Sequence, residues 1–139
     1  MKTCNRCGQT KPLDSFTRDK SRRDGRHSAC KKCRRDWKRA NPDRARAWRI
    51  KYTYGMTTDE YEAKLREQGG VCAICGETPE ENGGYLAVDH DHSCCPGERS
   101  CGKCVRGLLC GMCNRAIGLM RDDAERMRRA AAYIEGACK

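Results

Sequence analysis

Aromatic residues are scarce in this chain, with one Phe, two Trp and five Tyr among 139 residues. Proline and histidine are scarcer, at four and three. No segment approaches the ~20 consecutive apolar residues of a membrane span, so no membrane role is expected. The opening ten residues, MKTCNRCGQT, hold neither an apolar run nor a cleavage-site pattern, so a secretory leader is not expected. Charged residues make up 35% of the chain, which leaves too little apolar material for a large core. Something besides side-chain packing must staple the fold.

Cysteine is what the chain has in excess, with 13 residues. Small secreted domains pair such cysteines as disulfides, whereas chains in reducing compartments use them for zinc. With no leader expected, an intracellular, zinc-binding protein is the reading. The charge is also uneven. Residues 1–54 hold 18 Lys/Arg against 5 Asp/Glu, and residues 55–139 hold 11 against 14. A basic half beside a near-neutral half points to a polyanion, and nucleic acid is the expected partner. Three zinc–Cys4 sites would each add −2 and lower the formal +10 to +4, with the basic half still distinct.

Three regions are expected. Residues 1–33 form a zinc knuckle or ribbon, with a short helix following Cys33. Residues 34–54 form a basic helical linker that breaks at Asn41-Pro42, with Pro42 opening a second helix, Asn41 as its cap and Gly55 ending it. Trp37, Trp48 and Tyr52 give it an apolar stripe, and its arginines a basic face. Residues 55–139 form the third region. There, 57–68 reads as a helix with a Thr57/Glu60 capping box and Tyr61 and Leu65 on one face. The strand-like runs YLAVDH and VRGLLC follow, and then a helix beginning in CNRAIGLM. A last amphipathic helix covers 122–135, capped by Asp122 or Asp123, with Met127, Ala131 and Ile134 facing inward. The fold class is therefore small α+β and stapled by zinc.

Paired C-x2-C motifs suit tetrahedral zinc, because the tight turn brings two thiolates to one ion at ~2.3 Å. Cys4, Cys7, Cys30 and Cys33 form one such set, and Cys72, Cys75, Cys110 and Cys113 a second. Cys94, Cys95, Cys101 and Cys104 offer a third. Adjacent Cys94 and Cys95 are awkward partners, so His92 replacing one, a loop disulfide or loose thiols are alternatives. Cys138 is left over. Four thiolates leave no open coordination position, so these metals explain the fold and not the activity.

The chemistry lies between the second set's two halves, in Asp89-His90-Asp91-His92, and in Asn114 just after Cys113. Strand alternation puts Asp89 and Asp91 on one face and His90 and His92 on the other, and a bend at the strand end would bring Asp89 near His90. Oxygen ligands such as those of Asp89 and Asn114 suit Mg²⁺, and a neutral His suits a general base near pH 7. The plainer readings are that the histidines are zinc ligands or ordinary polar residues and that Asn114 is a helix cap. His27 has no evident partner and reads as a surface residue.

The motifs CAIC, VDHDH, VRGLLCGMCN and AIGLM, in this order over roughly residues 55–135, resemble the recombination endonuclease VII family. That family is a branch of the His-Asn-His (HNH) nucleases with a ββα-metal fold. A leading zinc knuckle and basic linker are similar to what phage and bacterial members carry. The resemblance implies a DNA endonuclease in which Asp89 and Asn114 bind Mg²⁺ or Mn²⁺. His90 would activate water, and His92 would hold the phosphate or shape the site. Cys72, Cys75, Cys110 and Cys113 would hold a structural Zn²⁺, and Arg106 would reach the DNA backbone. Arg34, Arg35, Lys38, Arg39, Arg46, Arg49 and Lys51 are the other expected DNA contacts, although the run 31–51 also reads as a solvated helix face. About 25 residues follow Asn114, fewer than the dimerising helical part of junction-resolving members, so a monomer or weak dimer is expected. The expected setting is a bacterial cytoplasm, with phage recombination or packaging machinery as a partner. The rival reading is a non-catalytic zinc-knuckle DNA-binding or packaging adaptor, which would have no use for Asp89, His90 and Asn114 together.

Overall fold

The computed structural model describes residues 1–136, and Cys138 lies outside them. The chain divides into two compact units, Met1–Arg46 and Ala47–Lys139.

In the first unit, β1 (Lys2–Thr3) and β2 (Thr10–Lys11) pair antiparallel. The tight turn between them carries Cys4 and Cys7. The Gly8 amide donates to the Cys4 carbonyl at 2.9 Å, with Gly8 at φ +67° where a side chain would be strained. Phe16, the one phenylalanine, is fully buried beside Cys4, Ala29 and Cys30. His27 is not a bare surface residue. Its Nδ1 accepts from the Ala29 amide at 3.0 Å and so closes the turn that leads into Cys30.

The helix expected after Cys33 starts earlier. α1 (Lys31–Ala40) has Cys30 as its N-cap, so Cys33 sits on its first turn. Amides of a first helical turn have no carbonyl partner inside the helix and suit a negative thiolate, which favours starting the helix inside the C-x2-C pair. Asn41 ends α1 by donating from Nδ2 to the Trp37 carbonyl at 2.9 Å. Pro42 then opens α2 (Pro42–Tyr54), its missing N–H being no loss there. The Asn41 side chain thus caps the carbonyl end of α1, not the start of α2. The division between the units falls within α2.

The second unit is built on a larger apolar cluster: Ile50, Met56, Tyr61, Leu86, Val88, Leu108 and Leu109, with Cys72 and Cys110. From α2 the core takes Ile50 and part of Tyr54, while Trp48 and Tyr52 stack on each other at 5.0 Å and stay exposed. The expected aromatic stripe is therefore not the buried one. α3 (Thr58–Glu67) begins with the expected capping box, the Thr57 hydroxyl oxygen accepting from the Glu60 amide at 3.2 Å. Its buried Tyr61 hydroxyl donates to the Leu86 carbonyl at 2.8 Å, which ties the helix to the strand that follows.

β3 (Ala87–His90) pairs antiparallel with β4 (Val105–Leu109), and α4 (Gly111–Leu119) packs on both. Gln68 completes the β4 edge. Its Oε1 accepts from the Leu108 amide at 3.0 Å and its Nε2 donates to the Leu108 carbonyl at 2.8 Å. α5 (Ala124–Gly136) departs from expectation: Met127 is half-buried, but Ala131 and Ile134 are exposed. Its sequence specifies an apolar face without specifying a partner, and the apolar cluster is closed by other elements. No helix among the described residues is long and apolar enough to cross a membrane.

Candidate active site and metal centres

Three groups of four cysteines come together, each with its Sγ atoms within 4.8 Å of one another. They are Cys4, Cys7, Cys30 and Cys33; Cys72, Cys75, Cys110 and Cys113; and Cys94, Cys95, Cys101 and Cys104. The adjacent pair Cys94–Cys95 therefore does contribute two thiols to one group. His92 is not a substitute ligand, because it faces elsewhere.

Electrostatics within each group favour a cation. The amides of Cys30 and Cys7 hold the Cys4 thiol down at about 5, while the neighbouring Cys30 thiol pushes Cys33 up to about 12. Burial raises Cys72, but the amides of Cys75 and Cys110 outweigh it and bring it to about 6. Burial and the Cys110 thiol push Cys113 up. In the third group the Ser100 hydroxyl lowers Cys104 to about 6, and the Cys95 and Cys101 thiols raise Cys94 to about 12. Each group has at least one thiol held low and another pushed up by its neighbours, and a dication at the centre removes that repulsion. All-sulfur donors at this spacing fit zinc, and each group can hold one ion.

At the end of β3 the ladder slips. Asp89 faces Gly107 but His90 faces Val105, so Arg106 is the extra residue of a β-bulge. The bulge breaks strict alternation, and Asp89 and His90 are both buried, at 6% and 4% exposure. The expected bend at the strand end is thus a β-bulge. The Arg106 guanidinium holds both Asp89 oxygens, Nε at 2.7 Å and Nη2 at 3.0 Å. It also donates to Asp122 at 3.2 Å. These carboxylates hold the Arg106 proton more tightly than usual. A cation already sits on Asp89, so the donor set suits positive charge.

His90 Nε2 lies 3.2 Å from the Cys95 carbonyl oxygen. A carbonyl can only accept, so Nε2 carries a proton, and in the neutral form of the ring the lone pair is on Nδ1. His92 has the opposite arrangement. Its Nδ1 donates to the Asp122 carboxylate at 2.7 Å, and its ring lies 4.6 Å from that of His90. The hydrogen bond from His92, reinforced by Arg106, holds the Asp122 carboxyl below the usual range.

Asp122, expected only as a possible helix cap, bonds both His92 and Arg106. Asp123 does the capping, its Oδ1 accepting from the Arg126 amide at 3.0 Å. Two consecutive aspartates before a helix, of which one suffices as cap, were the available signal. Arg121 and Asp122 both adopt left-handed backbone, at φ 58° and 54°. That conformation is uncommon outside glycine and turns the chain after α4, at the point from which Asp122 reaches His92 and Arg106. Asn114 is half-buried on the first turn of α4, directly after Cys113.

The expected DNA-contact residues are spread over several elements. α1 carries Arg34, Arg35, Lys38 and Arg39, with the Arg34 guanidinium bonded to the Thr17 hydroxyl. α2 carries half-buried Arg46, with Arg49 over the Tyr54 ring and Lys51 over Tyr52. Arg106 is committed to Asp89 and Asp122 rather than pointing freely outward.

Residues 47–136 match the family described as recombination endonuclease VII. The chain is 40% identical over 106 residues to the Gene 59 protein of Mycobacterium phage D29, and 38% identical over the same length to that of Mycobacterium phage L5. Each match covers 76% of this chain, and the chain spans 59% of the length of these curated relatives. The crystal structure of the ββα-Me type II restriction endonuclease Hpy99I aligns at a TM-score of 0.37 and 20% identity, over 96% of this chain and 64% of that one. With the match running from within α2 through α5, across both cysteine groups of the second unit and the Asp89–His90 site between them, the chain belongs to the recombination endonuclease VII family.

Proposed function

We propose that this chain is a metal-dependent endonuclease that hydrolyses phosphodiester bonds of duplex or branched DNA. The observation that carries the reading is the juxtaposition at the β3 bulge. A buried carboxylate and a buried imidazole, its Nε2 on a carbonyl, occupy consecutive positions there, with Asn114 on the helix that packs against the same strand. Asp89 and Asn114 would hold Mg²⁺ or Mn²⁺, a hard ion that takes one or two protein oxygens and keeps its waters. When bound, that ion supplies charge neutralisation at the scissile phosphate and at the leaving 3′ oxygen.

The chain's own residues do the rest. His90 accepts the proton of the attacking water on Nδ1 while Nε2–H stays on the Cys95 carbonyl, so the ring is aimed before substrate arrives. His92, anchored through Nδ1 by Asp122 and half-exposed, shapes the site beside His90. Arg106 would keep Asp122 as a second anchor were Asp89 to hold the ion. The basic residues of α1 and α2 contact phosphates without reading sequence. The cysteine groups hold zinc as structural metal.

The test is Mg²⁺-dependent nicking of supercoiled plasmid by wild type and His90→Ala at matched zinc content. Loss of a general base lowers the rate by roughly 10²–10⁴-fold. Equal nicking by both proteins, or none by either, sinks the assignment and favours a DNA-binding adaptor.

A further inference from the structure

Fourteen residues, Asp91 to Cys104, lie between the two strands of the active site, and none of them is buried. Packing therefore does not hold this loop. Three other features do. The Asp91 carbonyl accepts from the Cys94 and Cys95 amides at 3.2 and 3.0 Å, and the Asp91 amide donates to the Cys104 carbonyl at 2.9 Å. The Ser100 amide donates to the Thr53 carbonyl at 2.8 Å, and Gly102 lies against Gly55. The third feature is the thiol group Cys94, Cys95, Cys101 and Cys104.

One of these four residues has two roles. Cys95 gives its thiol to the group and its carbonyl to His90 Nε2. We infer that the third cysteine group is a metal site that positions His90: the ion fixes the Cys95 backbone, and through it the tautomer and orientation of the imidazole. Resting on the nuclease reading above, this makes Cys94, Cys95, Cys101 and Cys104 positioning residues for the general base rather than a remote staple. The same logic holds where an outer partner fixes the tautomer of a metal-bound His, and loss of such partners lowers activity about 10–100-fold. Here the order is reversed, with the metal supporting the partner.

The chain has only three histidines, so their ring nitrogens are resolvable by ¹H–¹⁵N correlation NMR. Wild type, Cys101→Ser and Glu98→Ala are compared for zinc per chain, His90 ring ¹⁵N shifts and plasmid nicking. Glu98 is an exposed residue of the same loop outside the thiol group, and its variant should match wild type throughout. Cys101→Ser should bind two zinc ions instead of three, lose the defined Nε2–H signature of His90, and nick about tenfold to a hundredfold more slowly.

Should Cys101→Ser fail to fold, a chelator titration of wild type replaces it. Among the described residues this is the one group of the three with no buried thiol, so it should release the first equivalent of zinc. The His90 signature should change with that equivalent and return when Zn²⁺ is restored. Two zinc ions in wild type, or three falling to two with the His90 signature intact, overturns the inference. A signature that follows the third zinc in a protein that never nicks supports the coupling and counts against the nuclease reading alone.

Discussion

The two units use cysteine differently. In Met1–Arg46 the thiols are the core: Cys4 and Cys30 are half of a four-residue buried cluster completed by Phe16 and Ala29. In the second unit a cluster led by Tyr61, Leu86, Leu108 and Leu109 exists in its own right. Cys72 and Cys110 join it, and the third thiol group stays outside. The less apolar surface a unit can bury, the larger the share of its folding free energy that must come from metal. The second unit has a core of its own, and its outermost cysteines are not part of it.

The sharpest way to break this contrast is to remove the first metal. Cys4→Ser should cost one zinc and unfold the first unit, since structural zinc in small modules contributes about 10–16 kcal/mol. In an NMR spectrum the Phe16 signals should collapse while those of Leu108 and Tyr61 persist. Dispersed Phe16 signals in the zinc-depleted variant would show a core independent of metal. The counterpart in the second unit is Leu108→Ala. It should lower stability to urea by about 2–5 kcal/mol, with all three zinc ions retained, because it removes fully buried volume without touching a thiol.

Gly102→Ala probes the loop between these extremes. Gly102 has φ +83°, and a Cβ there would lie 2.7 Å from the Gly55 carbonyl oxygen. Backbone must shift, and a loss of roughly 1–3 kcal/mol is expected by thermal denaturation. An unchanged melting temperature would mean the loop is not seated on Gly55.

Asp122→Asn should have the smallest effect, on the order of 1 kcal/mol at neutral pH, because the carboxylate's bonds to His92 and Arg106 are partly solvated. The folded-state carboxyl is held below its ordinary value. Its contribution is therefore complete above the unfolded value of ~3.9 and disappears as pH falls through the lower folded one. The stability gap between variant and wild type should stay constant down to about pH 5 and close in stronger acid. A gap that widens in acid would contradict the His92–Asp122–Arg106 network.

Much of this was legible in sequence because it depends on local spacing. C-x2-C turns, the Thr57/Glu60 box, Pro42 at a helix start and Gly55 at a helix end are short-range geometry. A bend at the end of the Asp89–His90 strand was legible, but not the β-bulge at Arg106 that forms it. α5 was misjudged because periodicity defines a face and not its partner. Gln68 could not be foreseen, since its two bonds to Leu108 span 40 residues.

The sequence by itself determined the cysteine groups and the order strand–loop–strand–helix, because these follow from residue type and near-neighbour spacing. Tertiary structure alone decided what each polar group faces. Arg106 binds Asp89, Asp122 leaves its capping role to Asp123 and reaches His92, and a backbone carbonyl of a cysteine lies at His90 Nε2. A carbonyl is common to every residue, so no sequence pattern marks the one that matters. Cys95 lies only five residues beyond His90, and the turn closed on the Asp91 carbonyl brings it there.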